Sequence, residues 1–223
     1  MSWIVKKPFV LVTYGTSLTT GRLSSQWPER LQQGVRGAPE CVGPFIIYNM
    51  GKGSQTSTWG AANAYLGASL RPTHILSEGF AINDCALVGG VPQVSQAQHL
   101  INMASMRATW VADNPDVDIT WQTMSSVSTA TATGRPNLAT YYADEMTFAT
   151  NNGDSKIDNY LGPGGSYPGP VGGWVKPLPD ALTYDSDGLH PIWTGADETY
   201  LWPNVYWWAR VKMAEFWGLP APT

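Results

Sequence analysis

Apolar residues fall in short runs closed by Pro, Gly or Asp, with longer segments of helical period between them. The stretches PFVLVTYG (8–15), PFIIYNMG (44–51), THILSEGFA (73–81) and VDITWQTM (117–124) are rich in Val, Ile and aromatics, which predicts four buried strands. Between them WPERLQQGV (27–35), the Ala-rich 60–70 region and QAQHLINMASMRATWVAD (96–113) predict helices. In the last of these, Leu100, Met103, Ala104, Arg107 and Val111 form one stripe. The segment 137–153 predicts another helix, and SKIDNYL (155–161) a fifth strand. From Gly162 to Asp185 the chain is dense in Gly, Pro and aromatics, which predicts a long surface loop. A final helix is expected from Gly195 to Phe216, kinked at Pro203 or starting its main part there. The β-α-β-α-β-α-β alternation favours a parallel sheet covered by helices on both faces.

Length adds one expectation to this pattern. A chain of 223 residues can bury one substantial core, so a single domain over 1–223 is expected. Charged residues make up 13% of it, against roughly 25% in an average chain, and 11 Trp and 10 Tyr supply large contact areas. That balance predicts a neutral, aromatic surface. The net charge of -4, without clustered Lys and Arg, argues against a nucleic-acid partner. No run approaches the roughly 18 apolar residues of a membrane span, and the lysines of MSWIVKKPFVLV lie inside its apolar segment, which predicts no secretory signal. Cys41 and Cys85 make neither a disulfide framework nor a CxxC zinc pair, and whether they pair is left open.

The ends of the predicted strands carry the chemistry. In open α/β sheets ligands bind beyond the carboxyl ends of the strands. Ser17 lies just past the first, NMGKGSQTS (49–57) follows the second and INDC (82–85) the third, while YDSDGLHP (184–191) precedes the final helix. A serine hydroxyl becomes a nucleophile when a histidine takes its proton, and a carboxylate orients that histidine. Of the three histidines, His74 starts a strand, which suits a core or surface role, and His99 sits within a helical pattern. His190 follows Asp187 by three residues across Gly188, so a tight turn can bring the carboxylate to the ring. Backbone N–H groups of Ser17 and of Gly53-Ser54, together with the neutral amide of Asn83, can supply oxyanion donors.

These blocks resemble the SGNH (GDSL-type) hydrolase family. GTSLTTG (15–21) is similar to its first block, NMGKGSQT (49–56) to its second, AIND (81–84) to its third and DGLHP (187–191) to its fifth, in family order. The resemblance implies a three-layer α/β/α flavodoxin-like fold with a central parallel sheet of about five strands. It also implies ester hydrolysis without a cofactor, with catalytic Ser17, Asp187 and His190 and an oxyanion hole of Ser17, Gly53, Ser54 and Asn83. Three positions depart from the pattern. Thr16 stands where the family has Asp, Ala81 where it has Gly, and Ser54 aligns with the oxyanion glycine, with Gly53 as donor if the register shifts by one.

Other classes have weaker support. The third glycine of GxGxxG is replaced by Thr56, and neither a phosphate-binding GxxxxGK[ST] nor GxSxG occurs. Three scattered histidines without HExxH make no metal centre. The main rival is a glycan-binding module on the same fold with inactive chemistry; a lipolytic esterase is the other. Tyr160, Tyr167, Trp174 and Tyr184 in the loop leading to the site suit sugar rings, although each can equally pack the loop onto the sheet. The expected substrate is therefore a short acyl ester, chiefly acetyl, on a carbohydrate. The expected setting is the cytoplasm, a detached enzyme domain, or a phage particle.

Overall fold

The computed structural model describes residues 6–20, 27–124, 127–160, 189–190 and 202–222. Five strands form one all-parallel sheet: β1 (Phe9–Gly15), β2 (Phe45–Gly51), β3 (His74–Ser77), β6 (Asp118–Gln122) and β7 (Ser155–Ile157). Their order is β2-β1-β3-β6-β7. The chain winds outward in both directions from β1, the doubly wound order that leaves a crevice beside the first strand.

Alternation along β1 produces the layers. Phe9 and Leu11 point to one face, where they join Trp27, Leu31 and Val35 of α2 (Trp27–Val35) and Val205, Ala209 and Met213 of α8 (Trp202–Trp217). Val12 and Tyr14 point to the other, against Ala64 and Ala68 of α3 (Ser57–Ala68) and Met103, Met106 and Trp110 of α5 (Gln96–Asp113). A sheet covered on both faces by helices is the three-layer α/β/α arrangement expected. Pro203 falls in the first turn of α8, where a missing N–H costs least.

Several boundaries differ from the sequence reading. The third strand ends at Ser77 rather than continuing to residue 81, because Gly79 and Phe80 take left-handed φ of 67° and 77° and turn the chain into the short helix α4 (Ala81–Asp84). The fifth strand is likewise trimmed to three residues. Helix α3 begins at Ser57, three residues early. The pattern did not anticipate the hairpin of β4 (Leu87–Val88) and β5 (Val91–Pro92), nor helix α6 (Thr129–Ala132). Helix α7 (Leu138–Asn152) falls where expected. The long loop expected from Gly162 to Asp185 lies outside the described residues.

Two corrections concern which side chains face inward. In α5 the buried residues are His99, Asn102, Met103, Met106 and Trp110, whereas Ala104 is exposed and Arg107 only half-buried. The stripe is rotated because two polar residues belong to the interior. The aromatic surface is the second. Trp27, Trp110, Trp121, Tyr14, Tyr141 and Tyr142 are among the most deeply buried side chains. Their polar ends bond to backbone where they can: Tyr14 Oη donates to the Gly60 carbonyl at 2.9 Å and Trp110 Nε1 to that of Ala64 at 3.2 Å. Cys41 and Cys85 are both free, and burial pushes the Cys85 thiol up to about 12.

His74 is a core residue. Its ring stacks on Phe9 with centroids 3.9 Å apart, and Nδ1 lies 2.9 Å from Thr73 Oγ1. Burial first, and the nearby Lys212 charge second, lower its pKa from 6.5 to about 3. Between those values the unfolded chain takes a proton that the folded chain refuses, so stability falls as pH drops from about 6.5 toward 3. The His74→Gln variant is expected to lose less melting temperature than the native chain between pH 7 and pH 4. Parallel acid limbs in the two thermal melts would remove this account.

Candidate active site

The carboxyl ends of three neighbouring strands make the rim. Gly15 pairs with Gly51, and Tyr14 with Ser77 on the other side, so the segments that follow β1, β2 and β3 leave the sheet side by side. Lys52 N donates to Gly15 O at 2.8 Å, continuing the ladder one step past the strands. Gly51 is required by close approach, since a Cβ there would lie 2.3 Å from Thr20 N. The first helical turn, α1 (Ser17–Thr20), thereby packs onto the end of β2.

Ser17 opens α1 and is 6% exposed; its Oγ lies 2.8 Å from Nε2 of the equally buried His190, 173 residues away. That is hydrogen-bond distance between a hydroxyl and an imidazole nitrogen, the geometry proton transfer requires. Asp187 lies outside the described residues.

The 53–54 turn lies beside this serine, and Asn83 is tied to the residue that follows the turn. A Cβ on Gly53 would sit 3.7 Å from Ser17 Cβ, which places the 53–54 turn against the serine. Ser54 has φ 60°, in the left-handed region that favours glycine. Asn83 lies in α4, 8% exposed, and its Nδ2 donates to Gln55 O at 2.7 Å, tying the two segments together. A side-chain amide carries two N–H donors, so this bond uses one of them.

The Gly51–Thr56 segment is taken up by contacts to α1 and Asn83, and among the described residues no group of three His, Cys, Asp or Glu side chains is placed to hold a metal ion.

No family model and no curated protein matches the sequence. Solved structures do. The chain is similar to a catalytic mutant of Axe2, an acetylxylan esterase from Geobacillus stearothermophilus, with TM-score 0.68 and 14% identity over 100% of this chain and 99% of that one. It is similar to a lipase/acylhydrolase from Enterococcus faecalis, with TM-score 0.65 and 15% identity over 96% and 98%. A GDSL-like lipase from Bacteroides thetaiotaomicron superposes with TM-score 0.62 and 15% identity over 95% and 92%. The chain has the SGNH hydrolase fold.

Within this SGNH fold the three departures each have a local explanation. Ala81 needs no glycine, because the left-handed positions fall on residues 79 and 80 and Ala81 is already helical. At residue 16 a carboxylate reaches the backbone from Glu78, the residue that follows β3. The buried Glu78 accepts a hydrogen bond from Thr16 N at 2.7 Å through Oε1, and its Oε2 receives the Thr19 hydroxyl. Burial pushes the Glu78 carboxyl up, against the lowering effect of these donors. Ser54 keeps a conformation suited to glycine, at a cost of about 1 kcal/mol. Ser54→Gly is therefore expected to hold or raise stability by up to about 1 kcal/mol, while a β-branched Ser54→Val loses about 1–2 kcal/mol. Denaturant midpoints measure both, and a marked loss in the glycine variant would contradict the assigned backbone.

Sequence reasoning missed Glu78 and the cluster formed by Asp84, His99 and Glu145. Their only local signal is a charged or polar residue inside an otherwise apolar element, which reads as the solvent face. The ring centroid of half-buried Tyr160 lies 4.9 Å from that of buried Tyr142; Tyr167, Trp174 and Tyr184 lie outside the described residues.

Proposed function

We propose that the chain is a serine esterase that hydrolyses short acyl esters, with Ser17 as nucleophile and His190 as general base. The 2.8 Å contact between Ser17 Oγ and His190 Nε2 at the carboxyl end of a doubly wound sheet carries this reading. In the first step Nε2 takes the hydroxyl proton as Oγ bonds to the ester carbonyl carbon. The carbonyl oxygen becomes an oxyanion, which receives hydrogen bonds from Ser17 N, from the backbone of Gly53 or Ser54, and from Asn83 Nδ2. Collapse expels the alcohol, to which the imidazolium returns the proton, leaving an acyl-serine. Water attacks this ester by the same sequence in reverse and releases the acid. Asp187 is assigned to orient His190 and stabilise its charged form, with no cofactor or metal.

An acetylated carbohydrate is the substrate class we favour. The structural likeness to an acetylxylan esterase supports it, as does the aromatic-rich segment leading to His190. A panel of p-nitrophenyl esters from acetyl to dodecanoyl, with acetate release from acetylated oligosaccharides, tests the assignment. The expected result is a maximum at the shortest chain and acetate released from sugars. A maximum at octanoyl or longer would make the chain lipolytic, and no turnover with any ester would leave a glycan-binding module.

A further inference from the structure

Beneath the proposed oxyanion site lies a set of polar groups that the reaction does not use. Asp84, His99 and Glu145 come from three helices, α4, α5 and α7, and are 0%, 0% and 1% exposed. His99 Nδ1 lies 2.7 Å from Asp84 Oδ2. On the opposite edge of the ring, Nε2 faces Glu145 Oε1 at 3.5 Å, and neither this Nε2 nor Glu145 Oε2 has a hydrogen-bond partner among the described residues. The imidazole thus spans two buried carboxyl groups.

Both groups also grip the turn that carries Asn83. Glu145 Oε1 accepts from Ala81 N at 3.2 Å, at the start of α4, and Asp84 closes its other end. Asp84 Oδ1 in turn accepts from Ser57 N at 2.8 Å, at the start of α3, whose own N-cap Thr56 supplies no side-chain bond. Asn102 Nδ2, one turn of α5 beyond His99, donates to Ser57 Oγ at 2.8 Å. A series of contacts therefore runs from Ala81 to Glu145, across the 3.5 Å approach to His99, and through the His99–Asp84 bond back to α4, with a branch to the segment following Gly53 and Ser54.

Such a cluster is a poor way to gain stability. Buried charged groups cost desolvation, and well-packed apolar residues of similar volume often do as well or better. Glu145 bears that cost visibly: burial first, then the charges of Asp84, Glu78 and Asp158, push its carboxyl well above the ordinary range despite the Ala81 N–H. What directional bonds supply, and apolar packing does not, is a fixed angle and distance for a single helical turn.

We propose that His99, held between Asp84 and Glu145, is a positioning residue that sets Asn83 relative to Ser17 for oxyanion binding; this rests on the esterase reading above. His99 touches no substrate. It acts through α4, so its loss should appear in kcat and should depend on Asn83.

The test is a double-mutant cycle on p-nitrophenyl acetate hydrolysis. His99→Leu is expected to lower kcat by about 10- to 100-fold, since a displacement on the order of 1 Å can cost that much, with KM changed by less than about twofold. His99→Asn, which keeps a donor toward Asp84, should recover most of the loss. In an Asn83→Ala background, His99→Leu should cost far less than it does alone, because the donor it positions is gone. Asp84→Asn, which alters one atom and preserves side-chain volume, should repeat the pattern at about a tenfold loss even if the leucine variant fails to fold. Unchanged kcat in the folded His99 and Asp84 variants, or losses that multiply with that of Asn83→Ala, would overturn the positioning role while leaving the esterase reading intact. An Asn83→Ala enzyme with native kcat would remove the oxyanion assignment, and the positioning role with it. Absence of turnover in the native chain would remove the esterase reading itself.

Discussion

Replacing Ser17 by alanine is expected to abolish ester turnover, lowering kcat by about 10⁴- to 10⁶-fold, and replacing His190 by alanine should do the same. The reason is the 2.8 Å contact between them. Without a base at Nε2 the hydroxyl keeps its proton and attacks poorly; without the hydroxyl the base has no nucleophile to activate. The two act as one unit, so the double variant should be no worse than either single one. Asp187→Asn should lose about 10- to 100-fold less than either, if Ser17 and His190 stay placed. Single-turnover rates on p-nitrophenyl acetate and labelling by a fluorophosphonate read these outcomes. Ser17→Ala removes one oxygen from a buried position, and its melting temperature should stay close to native, which separates lost chemistry from lost fold. Native turnover in that variant would end the mechanism.

Asn83→Ala is expected to lower kcat by about 10²- to 10³-fold with little change in KM, the signature of a donor used chiefly in the transition state. Its amide already spends one N–H on the Gln55 carbonyl at 2.7 Å, which orients the group and leaves the second N–H for the oxyanion. The same bond gives the variant a second effect, because Gln55 O loses its donor and the 53–56 segment loses a tie to α4. A small KM change is therefore compatible with the assignment. A loss confined to KM is not, and would make Asn83 a substrate-binding or capping residue. Asparagine does not titrate, so the size of the Asn83→Ala loss should be the same at pH 6 and pH 9.

β1 was legible in the sequence because a strand buried on both faces writes itself as a continuous apolar run, and β2, at the sheet edge with only Phe45 buried, because its run is rich in Ile and aromatics. The runs at 8–15 and 44–51 became β1 and β2 almost unchanged. Residues 73–81 were overextended because the turn at Gly79 and Phe80 is enforced by tertiary contact. A Cβ at residue 79 would lie 2.0 Å from Glu145 Oε1, and Glu145 arrives from a helix 66 positions later in the chain. Phe80 at φ 77° is unreadable locally, since a bulky aromatic is an unusual occupant of that region.

The chain's own residues marked Ser17 and the 53–54 turn as lying just past strands and Asn83 as lying in the segment after the third, because local punctuation by Gly, Pro and Asp marks where each run stops. That Ser17 and His190 meet at 2.8 Å across 173 residues was decided only by the parallel order of the sheet, which brings distant loops to one rim. Tertiary structure alone also decided the inward placement of Glu78, Asp84, His99 and Glu145. A polar side chain in an amphipathic pattern defaults to solvent, and its burial becomes tolerable only when partners from other elements satisfy it. Asp84 finds His99 at 15 positions' separation and Ala81 finds Glu145 at 64, distances along the chain at which no periodic pattern carries a signal.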